Sequence, residues 1–531
     1  MLIAAEDTVI KYPTKTQTAR NVVAIWANRV LAIAAPLVTT PLIVAHFGLE
    51  TTGIWLLASQ LASHLMLLDI GLGTSLIRLL ARSKALGDDK LASEYLSTAF
   101  YSLAACSAVL LLFAFWIGRL FVHLFDIGET LAATAHVLAI VTVIYVTFSL
   151  PLRIGYGLVG SSHRFDRIQL WDAIGVAGRV LLIVAIFMLF KPSVLVLALV
   201  VFGTSTFTAA ATLVDGKRLN AQWSLAPRNV SREALRSLFS MSGASLIATA
   251  AAVLLTQGAS LFTGSVLGPS AVPLIAYPLM IFTALTPFFN TFGTLASPVA
   301  AGLAARNEQQ RMLPGFLVIT RYLTSATVAL VIFVVTLGGM LLELWLPRSQ
   351  VGPADIRVMS VALGIIVSGF AMSALSPLSR SILSSVGHHW SAAIAEIVTT
   401  IAGLAAGFVL MRWTSLGVVA MAVGVCLALC VRGLVWMPAL LSSYFGISAF
   451  TIVRNSLGRP ALTALIAAVA GIALHLAGPG MGVEARGTAL LSFLASGVAW
   501  VVSTWLLVVP QEHRQLVLGH LGKYAARVRG S

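Results

Sequence analysis

Charge is scarce in this sequence. Only 10% of the 531 residues are Asp, Glu, Lys or Arg, against about 25% in a soluble globular protein. Acid is scarcer than base: 19 Asp+Glu face 34 Lys+Arg, a formal net charge of +15. Cysteine is nearly missing. Cys106, Cys426 and Cys430 all lie inside apolar runs, so no disulfide framework is available and they read as small buried hydrophobes. Cys426 and Cys430 share a helix face, but no His or further Cys near them completes a metal site. Catalytic signatures are missing too. There is no GxxxxGK[ST] and no HExxH, and Gly478-Pro479-Gly480-Met481-Gly482 lacks the P-loop lysine. These absences exclude a soluble enzyme, a disordered chain and a nucleic-acid-binding domain. The expectation is a non-enzyme without metal or cofactor.

Apolar residues fill the space left by charge. They make up 58% of the chain, and mean hydropathy is +0.95. Windows of about 20 apolar residues, the length that crosses a bilayer, recur fourteen times. The expected fold is all-α and polytopic: two six-helix bundles over 22–214 and 238–437, with two further helices within 438–509. A polar tail, 1–21, precedes them and 510–531 follows. The tail mixes both charge signs, unlike a cleavable signal peptide. Residues 215–237 form a basic connection, read as a hinge between bundles. Of the Lys and Arg outside spans, 21 fall on the side of both termini and 6 on the other. The positive-inside rule then places both termini in the cytoplasm. Phe47-Gly48-Leu49-Glu50 after span one and Leu267-Gly268-Pro269-Ser270 after span seven form a faint internal repeat, as transporters built from parallel repeats would show.

Seven arginines fall inside predicted spans: Arg29, Arg78, Arg153, Arg179, Arg321, Arg380 and Arg432. A central Arg costs about 2.5–3.5 kcal/mol even on the mildest insertion scale, so each must snorkel, pair or face water. Arg321 and Arg432 lie near cytoplasmic span ends and read as snorkelling; Arg153, after Pro151, leaves both readings open. Arg29 heads a stripe with Pro36 and Thr40. Arg78 ends the stripe Gln60–His64–Gly71–Ser75–Arg78, which shares one face of a continuous helix. Arg179 shares a face with Gly175 and Asp172, and Arg380 one with Gly369, Ser373, Ser376 and Ser384. Close helix packing explains the small residues of such stripes but not the arginines. Arg29, Arg78, Arg179 and Arg380 are therefore the candidate anion-binding residues. The acids inside spans are Asp69, Glu396 and, near an interface, Asp172. On a straight helix Asp69 points away from Arg78, so another span must meet it, with Arg29 one candidate. Glu396 fits either an ion pair with Arg380 or an ion-coupling carboxylate. His64 reads as a hydrogen-bonded interior residue.

The stretch Phe47-Gly48-Leu49-Glu50 … Gly53-Ile54-Trp55 … Leu68-Asp69-Ile70-Gly71-Leu72-Gly73 … Arg78 resembles the opening helices of polysaccharide flippases, the Wzx/PST branch of the multidrug/oligosaccharidyl-lipid/polysaccharide exporter superfamily. Gly155-Tyr156-Gly157-Leu158-Val159-Gly160 with Arg164 and Phe165 resembles that family's exit from span four. Trp55 stands where Tyr or Phe is usual, and span eight lacks counterparts of Asp69 and Arg78. The resemblance implies alternating-access transport of an undecaprenyl-diphosphate-linked oligosaccharide across a bacterial cytoplasmic membrane for surface polysaccharide biosynthesis. It also implies a glycan polymerase partner. Arg29 and Arg78 would hold the diphosphate, Arg179 and Arg380 would extend the cationic wall, and Asp69 or Glu396 would couple H+ or Na+. A multidrug exporter of the same superfamily is the alternative, with a more acidic lumen expected. A membrane glycan polymerase or ligase would need a sizeable catalytic outside loop, which the sequence lacks.

Overall fold

The computed structural model describes residues 15–69, 72–240, 243–306, 308–477 and 484–515. Among these the fold is all-α, with no strand. Thirteen helices are long and apolar enough to cross a membrane. The first of them, Arg20–Asp69, runs 50 residues, about twice what one crossing needs. It holds the expected spans one and two, because α1 (Lys15–Leu65) is two helices joined at Gly48 (φ 69°, ψ −179°). The fourteen expected crossings are thus accounted for. The Gly478–Gly482 run, Gly71 and the tail cations beyond 515 lie outside the described residues.

The repeat noticed in the sequence has a structural counterpart. Gly268, between α10 (Ala259–Leu267) and α11 (Val272–Ala305), adopts φ 82°, ψ 172°, nearly the conformation of Gly48. Only glycine populates that region readily, so the same turn ends both helices.

Three expected spans are interrupted. Span two does not run straight through 53–80: a 3-10 turn, Met66–Asp69, follows α1, and α2 (Leu72–Leu86) starts afresh. The stripe from Gln60 to Arg78 therefore does not lie on one helix face, and the angular argument separating Asp69 from Arg78 lapses. Span four breaks at Arg153 between α4 (Glu129–Leu152) and α5 (Ile154–Ser161). Span ten breaks after α13 (Pro353–Met372) and resumes as α14 (Ser376–Ser385). Pro151 and Pro377 stand beside the latter two breaks, where a missing N–H weakens the helical ladder.

The chain divides into two compact units, Met1–Pro273 with Trp345–Val351, and Leu274–Leu344 with Gly352–Ser531. In the first, α4, α6 (Phe165–Leu189) and α7 (Val194–Leu219) pack with α1, and α3 (Asp89–Leu124) packs on α4 and α2. Gly155 lets α5 meet α7 closely: a Cβ there would sit 2.5 Å from the Leu213 nitrogen. Lys84 at the end of α2 donates to Ser162 Oγ (2.8 Å) and Asn220 Oδ1 (2.9 Å), joining α2 to the ends of α5 and α7. Burial holds its pKa below the usual lysine value, with Asp89 opposing.

Residues 215–237 are tied down. Trp223 is buried and its indole N–H donates to Asp89 Oδ1 (2.8 Å), while the Ser224 and Ala226 N–H groups donate to the Ser93 and Ser97 hydroxyls of α3. A short helix, α8 (Arg232–Ser240), then buries Ala234 and Leu238 and exposes Arg232 and Arg236.

In the second unit α12 (Met312–Trp345), α13, α15 (His389–Trp413), α16 (Val418–Val431), α17 (Met437–Phe445), α18 (Ala449–Ala477) and α19 (Ala485–Ser503) follow. Gly403 and Gly424 bring α15 and α16 together: a Cβ on Gly403 would lie 2.5 Å from the Gly424 carbonyl oxygen.

Candidate functional site

Among the described residues, each unit holds a cluster of charged side chains inside its apolar spans. In the first unit the helix interruptions supply the anchor. The 3-10 turn ending in Asp69 meets the α4–α5 break, and the Arg153 guanidinium donates from Nε to Asp69 Oδ2. Asp69 is buried, while the Arg153 side chain keeps 39% exposure. The guanidinium lies 5.5 Å from the Tyr156 ring centroid. One turn on, Tyr156 OH donates to Asp172 Oδ1 on α6 (2.9 Å).

Arg179 lies two turns further along α6. Its Nη2 donates to Ser205 Oγ (2.8 Å) and its Nε to Thr204 Oγ1 (3.3 Å), both on α7. Those hydroxyls in turn donate to the Val200 and Val201 carbonyls. Arg179 thus has neutral partners only. Tyr145 stacks on Phe202 (4.4 Å between centroids) and walls the same space. The result is a cavity of about 330 Å³ lined by Asn28, Tyr145, Arg153, Tyr156, Asp172, Arg179 and Ser205 among others. Counted with Asp69 behind Arg153, two cations face two acids. The two acids already have partners in Arg153 and Tyr156; Arg179 has no acid bonded to it among the described residues.

Asn28 also lines a second space of about 600 Å³, between the start of α1 and α6. There Arg20 and Arg164 both pair with Asp166, Arg164 at 3.0 Å, and Arg167 pairs with Asp215. Three arginines meet two aspartates. Asn28 Nδ2 donates to Gln169 Oε1 (2.7 Å), and its buried Oδ1 has no partner.

The second unit arranges its charges differently. Arg380 on α14 lies 3.4 Å from Glu396 Oε1 on α15 and donates weakly to Asn290 Oδ1 (3.5 Å). Arg432, where α16 widens into a π-helical turn, is only 9% exposed. It donates to Thr399 Oγ1 (3.1 Å), Thr400 Oγ1 (2.8 Å) and the Glu396 carbonyl (3.0 Å). Arg380 thus pairs with the buried Glu396 carboxylate, while Arg432 holds that residue's main-chain carbonyl.

Of the sequence-derived candidates, Arg179 lines the first-unit cavity, and Arg380 pairs with Glu396 in the second unit. Arg29 is half-buried with its guanidinium 5.8 Å from the Trp26 ring centroid, and Arg78 is exposed. Neither lines the cavity. Asp69 pairs with Arg153, not with Arg29. Arg432 does not snorkel; hydroxyls two to three turns along α15 capture it. Arg321 does reach a backbone carbonyl, that of Asn455. Arg153 is the residue sequence reasoning left undecided, and its signal was Pro151 breaking the helix two residues before it. No His/Cys/Asp/Glu group among the described residues has a metal-site geometry.

No family model and no curated protein matches the chain. Solved structures do. A structure titled lipid II flippase MurJ, inward closed conformation, aligns with TM-score 0.66 over 94% of this chain and 99% of its own, at 11% identity. An inward-facing multidrug resistance MATE family transporter of the MOP superfamily aligns with TM-score 0.62 over 78% and 95%, at 14% identity. A MOP superfamily transporter from Pyrococcus furiosus, described by the reversed polarity of its binding pocket, aligns with TM-score 0.59 over 86% and 99%, at 15% identity. At these identities the likeness establishes the fold alone, one shared with these three structures.

Proposed function

We propose that the protein is a transporter that moves a lipid-diphosphate-linked oligosaccharide across the cytoplasmic membrane by alternating access, for surface polysaccharide biosynthesis. Both termini face the cytoplasm in this reading, a glycan polymerase uses the product, and an H+ or Na+ gradient drives the cycle. The observation that carries it is Arg179, a guanidinium held by two hydroxyls at the wall of a polar cavity. A diphosphate oxygen matches the planar guanidinium fork and would replace hydroxyl acceptors with charged ones. The fold shared with a protein titled a lipid II flippase supports the substrate class. The arginine-rich space beyond Asn28 supports entry of an anionic headgroup from the cytoplasmic end, with Arg29 and Arg78 as approach cations. Arg380 extends the cationic wall in the second unit, with less to offer because Glu396 holds it.

A multidrug exporter is the second reading, favoured by Asp172, a cavity carboxylate bonded only to a tyrosine hydroxyl. One experiment separates the two. The purified chain is placed in proteoliposomes with a fluorescent polyprenyl-diphosphate glycolipid, and leaflet exchange is followed by a membrane-impermeant quencher. Exchange that needs the protein and falls in Arg179→Ala supports the flippase. Transport of an organic cation without glycolipid exchange, lost in Asp172→Asn, would replace it with the exporter.

A further inference from the structure

The cavity beside Arg179 is not walled by charge alone. Ser149 stands about one turn, and Tyr145 about two turns, before Arg153 on one face of α4. All three line the cavity. Tyr145 also lies within electrostatic reach of both Arg153 and Arg179. An aromatic ring therefore shares this small space with the two guanidiniums.

Tyr145 ends a row of three rings. It lies nearly parallel to Phe202 (interplanar angle 6°, centroids 4.4 Å apart), and Phe202 leans on Trp55 (5.6 Å, 39°). Phe202 and Trp55 are buried, whereas Tyr145 is half-buried. A ring that only fills a core is covered on both faces. Phe202 covers one face of Tyr145, which leaves the other face and the edge to the cavity. Two buried rings hold Tyr145 in place, so a ligand that settles on it orders little that was free.

An aromatic face carries negative charge density, and the C–H bonds on the flat side of a pyranose are weakly positive. The two stack, and the sugar's hydroxyls then point sideways; Ser149, Ser205 and Thr208 line the space they would enter. An organic cation also favours an aromatic face, but Arg153 and Arg179 within reach of this ring oppose one. The volume, about 330 Å³, lies at the small end of ligand pockets, about 300–1,000 Å³. It has room for one sugar beside phosphate and not for an oligosaccharide. We propose that Tyr145 is a sugar platform: its ring takes the C–H face of the pyranose joined to the substrate's diphosphate, while Arg179 beside it takes the phosphate. The proposal rests on the flippase reading above and adds the sugar contact to it.

Binding of two kinds of probe to the full chain in nanodiscs tests it. One is a short-chain polyprenyl diphosphate; the other is the same lipid carrying one glucose, galactose or N-acetylglucosamine. The native chain should bind at least one glycosylated lipid about threefold to tenfold more tightly than the bare lipid. Tyr145→Leu should erase that difference and leave the affinity for the bare lipid unchanged. Tyr145→Phe should keep the difference, because the ring and not the hydroxyl makes the contact. Arg179→Ala should weaken both kinds of lipid alike. Where Tyr145→Leu fails to fold, NOEs from the tyrosine rings of an otherwise deuterated chain to the sugar C–H protons decide. They should be present in the native chain and absent in Tyr145→Phe. A native chain that binds bare and glycosylated lipids equally, an equal loss for both in Tyr145→Leu, or no such NOE overturns the platform and leaves the flippase reading standing. A native chain that binds none of the lipids sinks the flippase reading, and the platform falls with it.

Discussion

The two units hold their buried arginines in mirror-image ways. In the first, Arg179 on α6 takes its partners from Thr204 and Ser205 on α7. In the second, Arg432 at the end of α16 takes its partners from Thr399 and Thr400 on the preceding span, α15. The consequences differ. Arg432 is nearly sealed and makes three hydrogen bonds, one to a backbone carbonyl that no ligand will displace. Arg179 borders a cavity, and both its partners are hydroxyls with backbone acceptors of their own. A saturated, buried cation serves the fold; a cation with neutral partners at a cavity wall is free to take an anion. The same contrast holds for the carboxylates. Asp69 has one cation, Arg153, whereas Glu396 has Arg380 on its carboxylate and Arg432 on its main-chain carbonyl.

The comparison predicts a ranking. The largest effect should come from Arg153→Ala. It strands a buried Asp69, and breaking such a pair costs about 3–5 kcal/mol, here near the low end because Arg153 is half-exposed. Denaturant unfolding in detergent micelles measures it, and Asp69→Asn combined with Arg153→Met should recover most of the loss. A double variant no better than the single would mean that the pair is not what holds the break together. Next is Arg179→Ala, which should leave unfolding unchanged within about 0.5 kcal/mol. Its exchange of glycolipid should fall, since losing a charge-assisted contact to the substrate costs about 1.5–3 kcal/mol, roughly 10- to 150-fold in affinity. Arg179→Lys keeps the charge and should retain part of the activity. Arg380→Ala should cost only about 1–2 kcal/mol of stability, because Arg432 stays beside Glu396. A loss equal to that of Arg153→Ala would erase the contrast between the units. Smallest is Arg78→Ala: as an exposed approach cation it should slow exchange about threefold to tenfold with no change in stability.

Much of this was legible in the sequence. Composition and span length are direct consequences of the bilayer as solvent, so the all-α polytopic fold followed from counting. Gly48 and Gly268 were visible as a repeat because their backbone conformation excludes most other residues. The site was only partly legible. Arg179, Arg380 and Glu396 stood out because a charge in an apolar run demands a reason. Which charge meets which depends on where helices break, and the breaks at Asp69, Arg153 and Ser373–Leu375 each move a side chain off the face that straight-helix geometry assigns. Arg432 was misread as snorkelling since depth along one span says nothing about hydroxyls on another. Thr399 and Thr400 lie about one turn beyond Glu396, but nothing local ties Thr400 to an arginine 32 residues away.

The central claim is that Arg179, and not the sealed arginine of the second unit, meets the substrate's diphosphate. The direct measurement is the dissociation constant of a short-chain polyprenyl-diphosphate glycolipid for the native chain, Arg179→Ala and Arg432→Leu, each first shown to be folded. The account predicts a 10- to 150-fold weakening in Arg179→Ala, about 1.5–3 kcal/mol, and a change below about threefold in Arg432→Leu. Equal affinity in the native chain and Arg179→Ala, or a larger loss in Arg432→Leu, would contradict it.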